Sequence, residues 1–354
     1  MDTESRISQI REVGEEIITE ADLRALLETK KSPIAYDGFE PSGKIHIAQG
    51  ILRAINVNKM TRAGCKFKLW VADWHAWANN KLGGDLEKIR TAGDYMAEVW
   101  KATGMDLDRV EFVHASEFMG KKEYWSRVMR IATASTLPRV IRCSQIMGRS
   151  ESETLHASQI FYPCMQAADI FELDVDIAQL GMDQRKVNVF AREIAEKFKW
   201  QKPVAVHHHM LMGLSQTETS ATGVERAIEM KMSKSRPDSA IFMTDSKEEV
   251  ARKISKAYCP EKTVEGNPVL EYCKYIVFEK FKKIEIERPA KFGGNVSYNS
   301  YSELESDFAA GKLHPMDLKN ATALHVNSLL EPVRKHFEKN AKAKKLLAQV
   351  NSFS

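Results

Sequence analysis

Two polar side chains, His46 and Gln49, follow a tight turn between a predicted strand and a predicted helix. The strand covers Ile34 to Phe39, and the turn is Glu40-Pro-Ser-Gly-Lys44. Such a junction lies at the carboxyl edge of a parallel sheet, where ligands bind, and the N–H groups that begin a helix favour phosphate. His46 and Gln49 share one helix face and could hold triphosphate oxygens. A capped helix with an incidental histidine is the alternative.

A second polar group lies within a helix predicted over residues 158–173. At 100° per residue, Tyr162, Gln166 and Asp169 fall within about 60° of one another, and their neighbours are mostly apolar. The wet face of an amphipathic helix would be wider and would more often carry Lys and Glu. The narrow polar stripe therefore favours the lining of a cavity over a solvent-facing surface.

A third polar group, Gly181-Met-Asp-Gln-Arg185, follows a strand predicted over residues 175–180 and leads into a helix. Because it is again the carboxyl end of a strand, it should line the same crevice. Asp183 could bind a ribose diol or cap the helix, and Gln184 could reach a polar ligand.

The fourth feature is a cationic segment, Lys231-Met-Ser-Lys-Ser-Arg236. Its small hydroxyl residues and the proline that follows make a poor helix and a poor strand. A solvated basic turn is the ordinary interpretation of so short a run. A mobile loop whose lysines meet phosphate charge is the functional interpretation.

Alternating strands and helices position these groups and predict an α/β fold with a parallel sheet built from βαβ units. Further strands are predicted at Phe67–Ala72 and Val110–His114, and the pattern after the capping box at Ser246–Glu249 is mainly helical. The predicted division is a helical segment at 1–30, an α/β domain at 31–225 with a largely helical stretch at 116–160, a loop and linker at 226–245, and a helical domain at 246–354.

The composition is that of an ordinary globular protein. The 354 residues carry a net charge of only +4, which allows a nucleic-acid partner without implying one. Five scattered cysteines without a Cys-x-x-Cys pair indicate a reducing compartment and no zinc site. Neighbouring histidines at 207–209 would alternate between the faces of a strand, so no metal site is expected there. No stretch approaches the roughly 20 apolar residues of a membrane span, and a cytoplasmic protein without membrane contact is expected.

Two of these segments resemble the signatures of class I aminoacyl-tRNA synthetases. Residues 39–49, FEPSGKIHIAQ, are similar to the HIGH signature, and residues 231–235 match KMSKS letter for letter. The blocks YPCMQAADIF at 162–171, GMDQRKVN at 181–188 and HPMDLKNA at 314–321 are similar to tyrosyl-tRNA synthetases of the archaeal and eukaryotic type. The resemblance runs from about residue 20 to 340. It implies a Rossmann-like catalytic domain followed by a mainly helical anticodon-binding domain.

The resemblance also implies an activity. Tyrosine would react with ATP, bound with Mg²⁺, to give tyrosyl-adenylate and pyrophosphate, and the tyrosyl group would then pass to the 3′ end of tRNA(Tyr). The catalytic residues implied are His46, Gln49, Lys231 and Lys234. The tyrosine-binding residues implied are Tyr36 and Asp169 at the phenolic hydroxyl, with Tyr162, Gln166, Gln184 and Glu40 at the amino group. The ATP-binding residues implied are Gly38, Ser42, His46, Gln49, Gly181, Asp183, Met232, Ser233 and Lys234.

For the tRNA, the resemblance implies contacts from Arg185 to the acceptor end and from Phe292, His314 and Asp317 to the anticodon. Without the resemblance, Phe292 could equally be a core residue and Asp317 a helix cap. Members of the family are homodimers whose interface lies around residues 116–160. The HIGH signature here carries Ala48 for its glycine and Gln49 for its second histidine, and an amide cannot be cationic.

Other classes of protein remain as alternatives. The tryptophanyl enzyme shares the architecture but should lack the Tyr36 and Asp169 pair. A non-catalytic relative would have lost that pair or the KMSKS residues, and neither loss is present. A nucleotidyltransferase of the same superfamily would not need the helical domain.

Overall fold

The fold is known from a computed structural model, which describes residues 1–147, 155–216, 232 and 237–353. Of the predicted site residues, Lys231, Ser233 and Lys234 lie outside this part of the chain, and the side chain of Phe292 is not described.

A six-stranded sheet forms the centre of the α/β region, with the strand order β1-β6-β5-β2-β3-β4. All neighbouring pairs are parallel except β1 and β6. The strands are β1 Glu16–Ile18, β2 Ile34–Phe39, β3 Lys66–Val71, β4 Val110–His114, β5 Ile177–Gly181 and β6 Val204–His208. This arrangement confirms the predicted parallel-sheet α/β class, since strands that alternate with helices pair in parallel.

Helices connect and flank the strands of this sheet. They are α1 Thr3–Arg11, α2 Glu20–Thr29, α3 Arg53–Arg62, α4 Asp73–Ala78, α5 Leu86–Lys101, α6 Lys122–Thr133, α7 Leu137–Ile141, α8 Ala157–Glu172 and α9 Arg185–Phe198. Side chains cap two of these helices: Thr19 accepts the N–H of Asp22 at 3.1 Å at the start of α2, and Asp85 accepts the N–H groups of Glu87 and Lys88 at the start of α5.

The prediction of a wholly helical N-terminal segment at 1–30 is wrong for residues 16–18. Glu16, Ile17 and Ile18 pair antiparallel with Ala205, Val206 and His207 and so extend the sheet by one strand. The run is too short to show a period, and its place in the sheet is set by a partner strand that lies almost 190 residues away.

The C-terminal region is mainly helical and packs on the α/β region. Its helices are α10 Lys247–Lys256, α11 Pro268–Tyr272, α12 Phe278–Lys280, α13 Tyr301–Ala309, α14 Pro315–Lys339 and α15 Ala341–Asn351. A two-stranded antiparallel sheet, β7 Ile284–Ile286 and β8 Val296–Tyr298, interrupts them. Polar contacts join the two regions: Lys59 Nζ lies 2.7 Å from Glu279, and His336 Nε2 lies 2.8 Å from Glu98. Within the described part of the chain, no helix is both long and apolar enough to cross a membrane.

His209 forms a charged junction between three parts of the chain. Its Nδ1 lies 2.5 Å from Glu15, its Nε2 lies 3.2 Å from Glu271, and its ring stacks on Tyr275 at 4.1 Å between centroids. Burial lowers the pKa of His209, but the carboxylates of Glu15 and Glu271 outweigh burial and raise it to about 9. The imidazolium therefore stabilises the junction at neutral pH.

The junction predicts a pH-dependent stability. Because the pKa of His209 is raised in the folded state, its contribution is complete below the unfolded pKa of about 6.5 and is lost as the pH rises through about 9. At pH 6 the free energy of unfolding of the wild type should be larger than that of the His209→Gln variant by roughly 3 kcal/mol. This difference should disappear by pH 10. Urea unfolding at both pH values measures this gap. A difference that does not change with pH would contradict it.

Candidate active site

A cavity of about 560 Å³ opens at the carboxyl ends of β2, β3, β5 and β6. Every described residue that was predicted to bind tyrosine or ATP lines it. These residues are Tyr36, Gly38, Glu40, Ser42, His46, Gln49, Tyr162, Gln166, Asp169, Gly181, Asp183, Gln184 and Met232. They come from four separate stretches of sequence, and the parallel sheet brings them together because its strands end at one edge.

A larger cavity, of about 990 Å³, lies at the opposite, amino-terminal edge of the sheet. None of the predicted residues reaches it. Two of its cationic groups are paired within the protein: Lys30 lies 2.7 Å from Asp176, and Arg127 pairs with Glu172. The smaller cavity is therefore the candidate site, because the side chains predicted to bind tyrosine and ATP line it.

Asp169 lies at the bottom of the candidate site and is fully buried. Its Oδ1 accepts the hydroxyl of Tyr124 at 2.8 Å, and its Oδ2 lies 2.9 Å from His75 Nε2. Burial lowers the pKa of His75, but the Asp169 carboxylate outweighs this effect and raises it. Burial, followed by the charge of Asp169, raises the pKa of the neighbouring Tyr36 hydroxyl well above its usual value. A neutral phenol and a carboxylate thus face the same small space.

Amide and carboxylate groups form the wall above Asp169. Gln166 Nε2 donates to Gln184 Oε1 at 3.0 Å, and Gln184 Nε2 donates to the carbonyl of Ile146 at 3.1 Å. On the other side, Asn79 Nδ2 donates to both oxygens of Glu40, at 2.9 and 3.2 Å. These bonds fix the orientations of the amide and carboxylate side chains, and Glu40 Oε2 also lies 3.3 Å from Lys81 Nζ.

The segment around His46 begins with an irregular turn. Gly43 has a φ of 102°, a conformation that favours glycine, and residues Ala48–Leu52 form a π-helical turn before α3. His46 precedes this turn and forms an isolated antiparallel bridge with Phe242, so the prediction that it shares a helix face with Gln49 is wrong. The N–H of Ile47 donates to Ile241 O at 2.8 Å. The chain that leaves the predicted KMSKS segment is therefore joined to the HIGH-like segment.

A buried ion pair supports the cavity from below. Arg53, the first residue of α3, pairs with Asp37 on β2 and also donates to the side chain of Gln179 on β5. Gln179 in turn lies 2.9 Å from His208 Nδ1. Burial raises the pKa of Asp37 to about 6 in spite of the guanidinium beside it. These bonds tie the helix that follows the HIGH-like segment to two strands of the sheet.

Gly181 allows Asp183 to approach the cavity closely. A Cβ at this position would lie 2.6 Å from Asp183 Oδ1 and 2.6 Å from Met210 Sδ, closer than real side chains come. The cap position of α9 is occupied by Gln184, whose side chain makes no capping bond, so Asp183 is not the N-cap. Of the two roles considered for Asp183, the cap is excluded.

Comparisons with known proteins agree with this geometry. A family model described as tRNA synthetases class I (W and Y) matches residues 28–331. Cytoplasmic tyrosine–tRNA ligase 1 of Arabidopsis thaliana is 53% identical over 355 residues, which cover 99% of this chain and 89% of the relative. The chain belongs to the class I tyrosyl-tRNA synthetases. The predicted family, fold class and ligase activity are thereby confirmed.

Solved tyrosyl-tRNA synthetases show the same fold. The enzyme of Pyrococcus horikoshii, complexed with L-tyrosine, has a TM-score of 0.91 and 43% identity, with 98% of this chain and 100% of that chain covered. The Leishmania major enzyme, complexed with tyrosinol, has a TM-score of 0.91 and 45% identity. That match covers all of this chain but only 61% of the Leishmania chain.

Three residues predicted to contact tRNA, Arg185, His314 and Asp317, do not line the synthetase cavity. Arg185 Nε donates to both carboxylate oxygens of Glu16, at 2.9 and 2.8 Å, and its side chain is 43% exposed. His314 is exposed and is the N-cap of α14, since its Nδ1 accepts the N–H of Met316 at 3.1 Å. Asp317 lies in the first turn of that helix and is not its cap.

Several residues of the cavity were missed by sequence reasoning. They are Trp70, His75, Lys81, His208, Met210 and Leu211 on its wall and Tyr124 behind Asp169. A signal existed only for His75, which lies in the aromatic-rich segment Asp73-Trp-His-Ala-Trp77 directly after β3. Ligands bind at the carboxyl ends of parallel strands, and β3 was predicted as such a strand. A polar residue just beyond its end could therefore have been assigned to the crevice.

Proposed function

We propose that this synthetase uses the cavity to activate L-tyrosine with ATP and then transfers the tyrosyl group to the 3′ end of tRNA(Tyr). The observation that carries the proposal is the convergence of thirteen predicted residues on one cavity. In the first step, a carboxylate oxygen of tyrosine attacks the α-phosphorus of ATP and the bond to the β-phosphate oxygen breaks. In the second step, a ribose hydroxyl of the tRNA attacks the tyrosyl carbonyl carbon, and AMP leaves.

Recognition of tyrosine would depend on the phenolic hydroxyl. We place it between the hydroxyl of Tyr36 and the carboxylate of Asp169, both almost completely buried. His75 and Tyr124 hold Asp169 from behind, so its oxygens cannot turn away when the substrate is phenylalanine. Buried polar groups left without a partner make that substrate costly to bind.

The α-amino group of tyrosine would lie at the opposite end of the cavity, among Tyr162, Gln166 and Gln184. Glu40 would add a negative charge nearby. Burial and the carboxylate of Glu40 raise the pKa of the Tyr162 hydroxyl well above its usual value, so this group stays neutral and can donate or accept a hydrogen bond. A cationic amino group is thereby matched by oxygen acceptors and by one carboxylate.

ATP would lie across the HIGH-like segment, with the ribose near Asp183 and Gly181 and the phosphates near Ser42, His46 and Gln49. No protein nucleophile is required, so catalysis consists of positioning and of stabilising charge on the phosphates. Lys231 and Lys234 would supply the positive charge from the other side. Mg²⁺ would enter with ATP as part of the substrate.

The helical region at 246–354 would read the anticodon, and the α/β region at 31–225 would perform the chemistry. Phe292 would stack on a base, and His314 and Asp317 would contact base edges at the start of α14. Arg185 would approach the acceptor end, where its exposed guanidinium has Glu16 as a competing partner.

Replacing Asp317 with alanine should raise the KM for tRNA about tenfold, the cost of one lost charged hydrogen bond. Tyrosine-dependent pyrophosphate exchange should stay unchanged, because Asp317 does not line the cavity and does not cap α14. Aminoacylation and exchange assays on the same variant separate the two effects. Slower exchange would point to a folding role instead.

We further propose that the protein is a cytoplasmic homodimer, as the resemblance implies. Three large apolar side chains in or beside residues 116–160 are exposed: Met129 at 49%, Leu137 at 55% and Phe161 at 40%. We assign these three side chains to the dimer contact, because burying their apolar surface would stabilise it. A monomeric mass in analytical ultracentrifugation at micromolar concentration would contradict the dimer.

Charging of a tRNA(Tyr) transcript with labelled tyrosine tests the complete function. Acid-precipitable tyrosine should accumulate only when ATP, tRNA and the protein are all present. Release of the label by mild base would show an ester at the 3′ end. Failure to charge this tRNA, with adenylate still formed, would restrict the function to the first step.

A further inference from the structure

The short edge strand β1 brings a carboxylate, Glu16, to the first residue of α9. The Nε of Arg185 donates to both oxygens of Glu16, at 2.9 and 2.8 Å. The two residues lie 169 positions apart in the chain, and the pairing of β1 with β6 brings them together. Their side chains are 30% and 43% exposed, so a large ligand can still reach the pair.

Glu16 has a second partner on its inner side. It lies directly opposite His207 in the register of β1 and β6, and residues in that relation point to the same face of a sheet. His207 Nδ1 lies 2.8 Å from Glu16 Oε2, and the histidine side chain is completely buried. The carboxylate is therefore fixed between a buried histidine and a partly exposed arginine.

The histidine is itself oriented by α9. Asn188 is completely buried in that helix, and its Nδ2 lies 3.0 Å from His207 Nε2. Because an amide nitrogen donates and does not accept, Nε2 must accept, and the ring proton is then on Nδ1, facing Glu16. Burial lowers the pKa of His207, although Glu16 acts in the opposite direction, so the ring is neutral at pH 7.

Four side chains thus form a closed network that begins and ends on α9: Arg185, Glu16, His207 and Asn188. An isolated surface ion pair contributes little and can reorient freely. In this network the carboxylate is held by a buried histidine, so the direction of the guanidinium is set as well.

Arg185 is attached to the chain at the edge of the synthetase cavity. It directly follows Gln184, which lines that cavity. Glu16 engages Nε, whereas Nη1 and Nη2 are a pair with which arginine binds a phosphate or a guanine edge. The bond to Glu16 therefore orients the two terminal nitrogens without using them.

We propose that Glu16 is a positioning residue for tyrosyl transfer, which holds the Arg185 guanidinium towards the acceptor end of the tRNA. This inference rests on the proposed function, since it needs Arg185 to contact the acceptor end. It also explains what β1 contributes, because this strand carries the carboxylate that orients the arginine. If Glu16 were instead a competitor that the tRNA must displace, its removal would have the opposite effect.

The proposal separates the two steps of the reaction. Adenylate formation proceeds without tRNA, so tyrosine-dependent pyrophosphate exchange should not depend on Glu16. Transfer requires the acceptor end, so kcat/KM for tRNA should fall when Arg185 loses its support. A purely structural ion pair would lower the Tm and leave the ratio of transfer to exchange unchanged.

Glu16→Ala should lower kcat/KM for tRNA about fivefold, the equivalent of one hydrogen bond, with exchange at the wild-type rate. Glu16→Gln keeps an acceptor oxygen for Arg185 Nε and should recover most of the loss. Equal losses in the two variants would show that the charge of Glu16 matters rather than its bond, and would overturn the positioning role. A higher kcat/KM in Glu16→Ala would identify a competitor and would overturn it too.

Asp22→Ala is the matched control. Asp22 is also a partly exposed carboxylate near the N-terminus, and it lies 2.7 Å from Arg192 Nη2, on the same helix as Arg185. Neither Asp22 nor Arg192 lines the cavity. The control should leave exchange and kcat/KM for tRNA unchanged, whatever its Tm. A loss of kcat/KM equal to that of Glu16→Ala would reduce the effect to general folding and contradict the proposal.

A double-mutant cycle tests whether Glu16 acts through Arg185. Arg185→Ala should lower kcat/KM for tRNA about tenfold, and adding Glu16→Ala should then cost no more. Losses that multiply would overturn this inference alone, and so would an unchanged Glu16→Ala beside an impaired Arg185→Ala. If Arg185→Ala transfers tyrosine as well as the wild type, the proposed contact of Arg185 with the acceptor end fails, and this inference fails with it.

Discussion

Replacing Asp169 with alanine should lower the preference for tyrosine over phenylalanine, measured as the ratio of kcat/KM values, by roughly 100-fold. The carboxylate of Asp169 is fully buried, and the tyrosine hydroxyl would lose a charged acceptor that water cannot replace. The kcat/KM for phenylalanine would rise relative to that for tyrosine, because bound phenylalanine would no longer leave the Asp169 carboxylate unpaired. Pyrophosphate exchange with each amino acid gives the two values of kcat/KM.

Asp169 has two protein partners, so its loss also disturbs His75 and Tyr124. Asp169→Asn preserves the shape and should give a smaller loss of selectivity, with a Tm near that of the wild type. Asp176→Asn is the matched control, since Asp176 is also a buried carboxylate with a cationic partner, Lys30, but lies at the opposite edge of the sheet. Unchanged selectivity in Asp169→Ala would remove this residue from the hydroxyl site.

Replacing Lys234 with alanine should lower kcat for adenylate formation by roughly 100-fold, the typical cost of removing one group that stabilises transition-state charge. The KM for ATP should change by no more than about twofold, because the lysine would act mainly as pyrophosphate leaves. Lys234 lies outside the described residues, and this expectation derives from the KMSKS signature. Steady-state exchange over a range of ATP concentrations separates the two constants.

Lys122→Ala is a control for the general effect of removing a positive charge. Its side chain is 93% exposed and its distance to Glu123 is 4.0 Å, so both kcat and KM should stay at wild-type values. A Lys234→Ala variant in which only the KM for ATP rises would contradict the role assigned to this lysine. The signature would then contribute to ground-state binding alone.

Local sequence patterns predicted the strands that carry the site. The limits of β2 and β4 agree with prediction, because each is a short, largely apolar run between turns. The stripe of Tyr162, Gln166 and Asp169 was assigned to a cavity because its flanks are apolar, and all three residues do line one. In each case the determining information lies within about ten residues of sequence.

Features that depend on distant partners were not predictable in this way. The strand β1 exists because residues 16–18 pair with β6, and His75 and Tyr124 reach Asp169 from α4 and α6. The π-helical turn after His46 also depends on tertiary packing, since a Cβ at Gly50 would overlap Met243. Sequence periodicity reports which face of an element is buried and does not report which residue it meets.

The histidines at the junction between the two regions also have partners that local sequence could not predict. The run His207–His209 was considered as a metal site and set aside, but its actual partners could not be foreseen. Each histidine turns to a different neighbour: His207 to Glu16, His208 to Gln179, and His209 to Glu15 and Glu271. Alternation along the strand explains why the three separate, and only the packed structure shows which groups they meet.

Exchange of labelled pyrophosphate into ATP, measured without tRNA and with each amino acid in turn, tests the central claim most directly. The reaction needs only the cavity, its two substrates and the signature lysines. Exchange should be strong with tyrosine and close to background with phenylalanine and tryptophan. Exchange with tryptophan and not with tyrosine would contradict the assignment of Tyr36 and Asp169 to a phenolic hydroxyl, and no exchange with any amino acid would contradict the proposed activity.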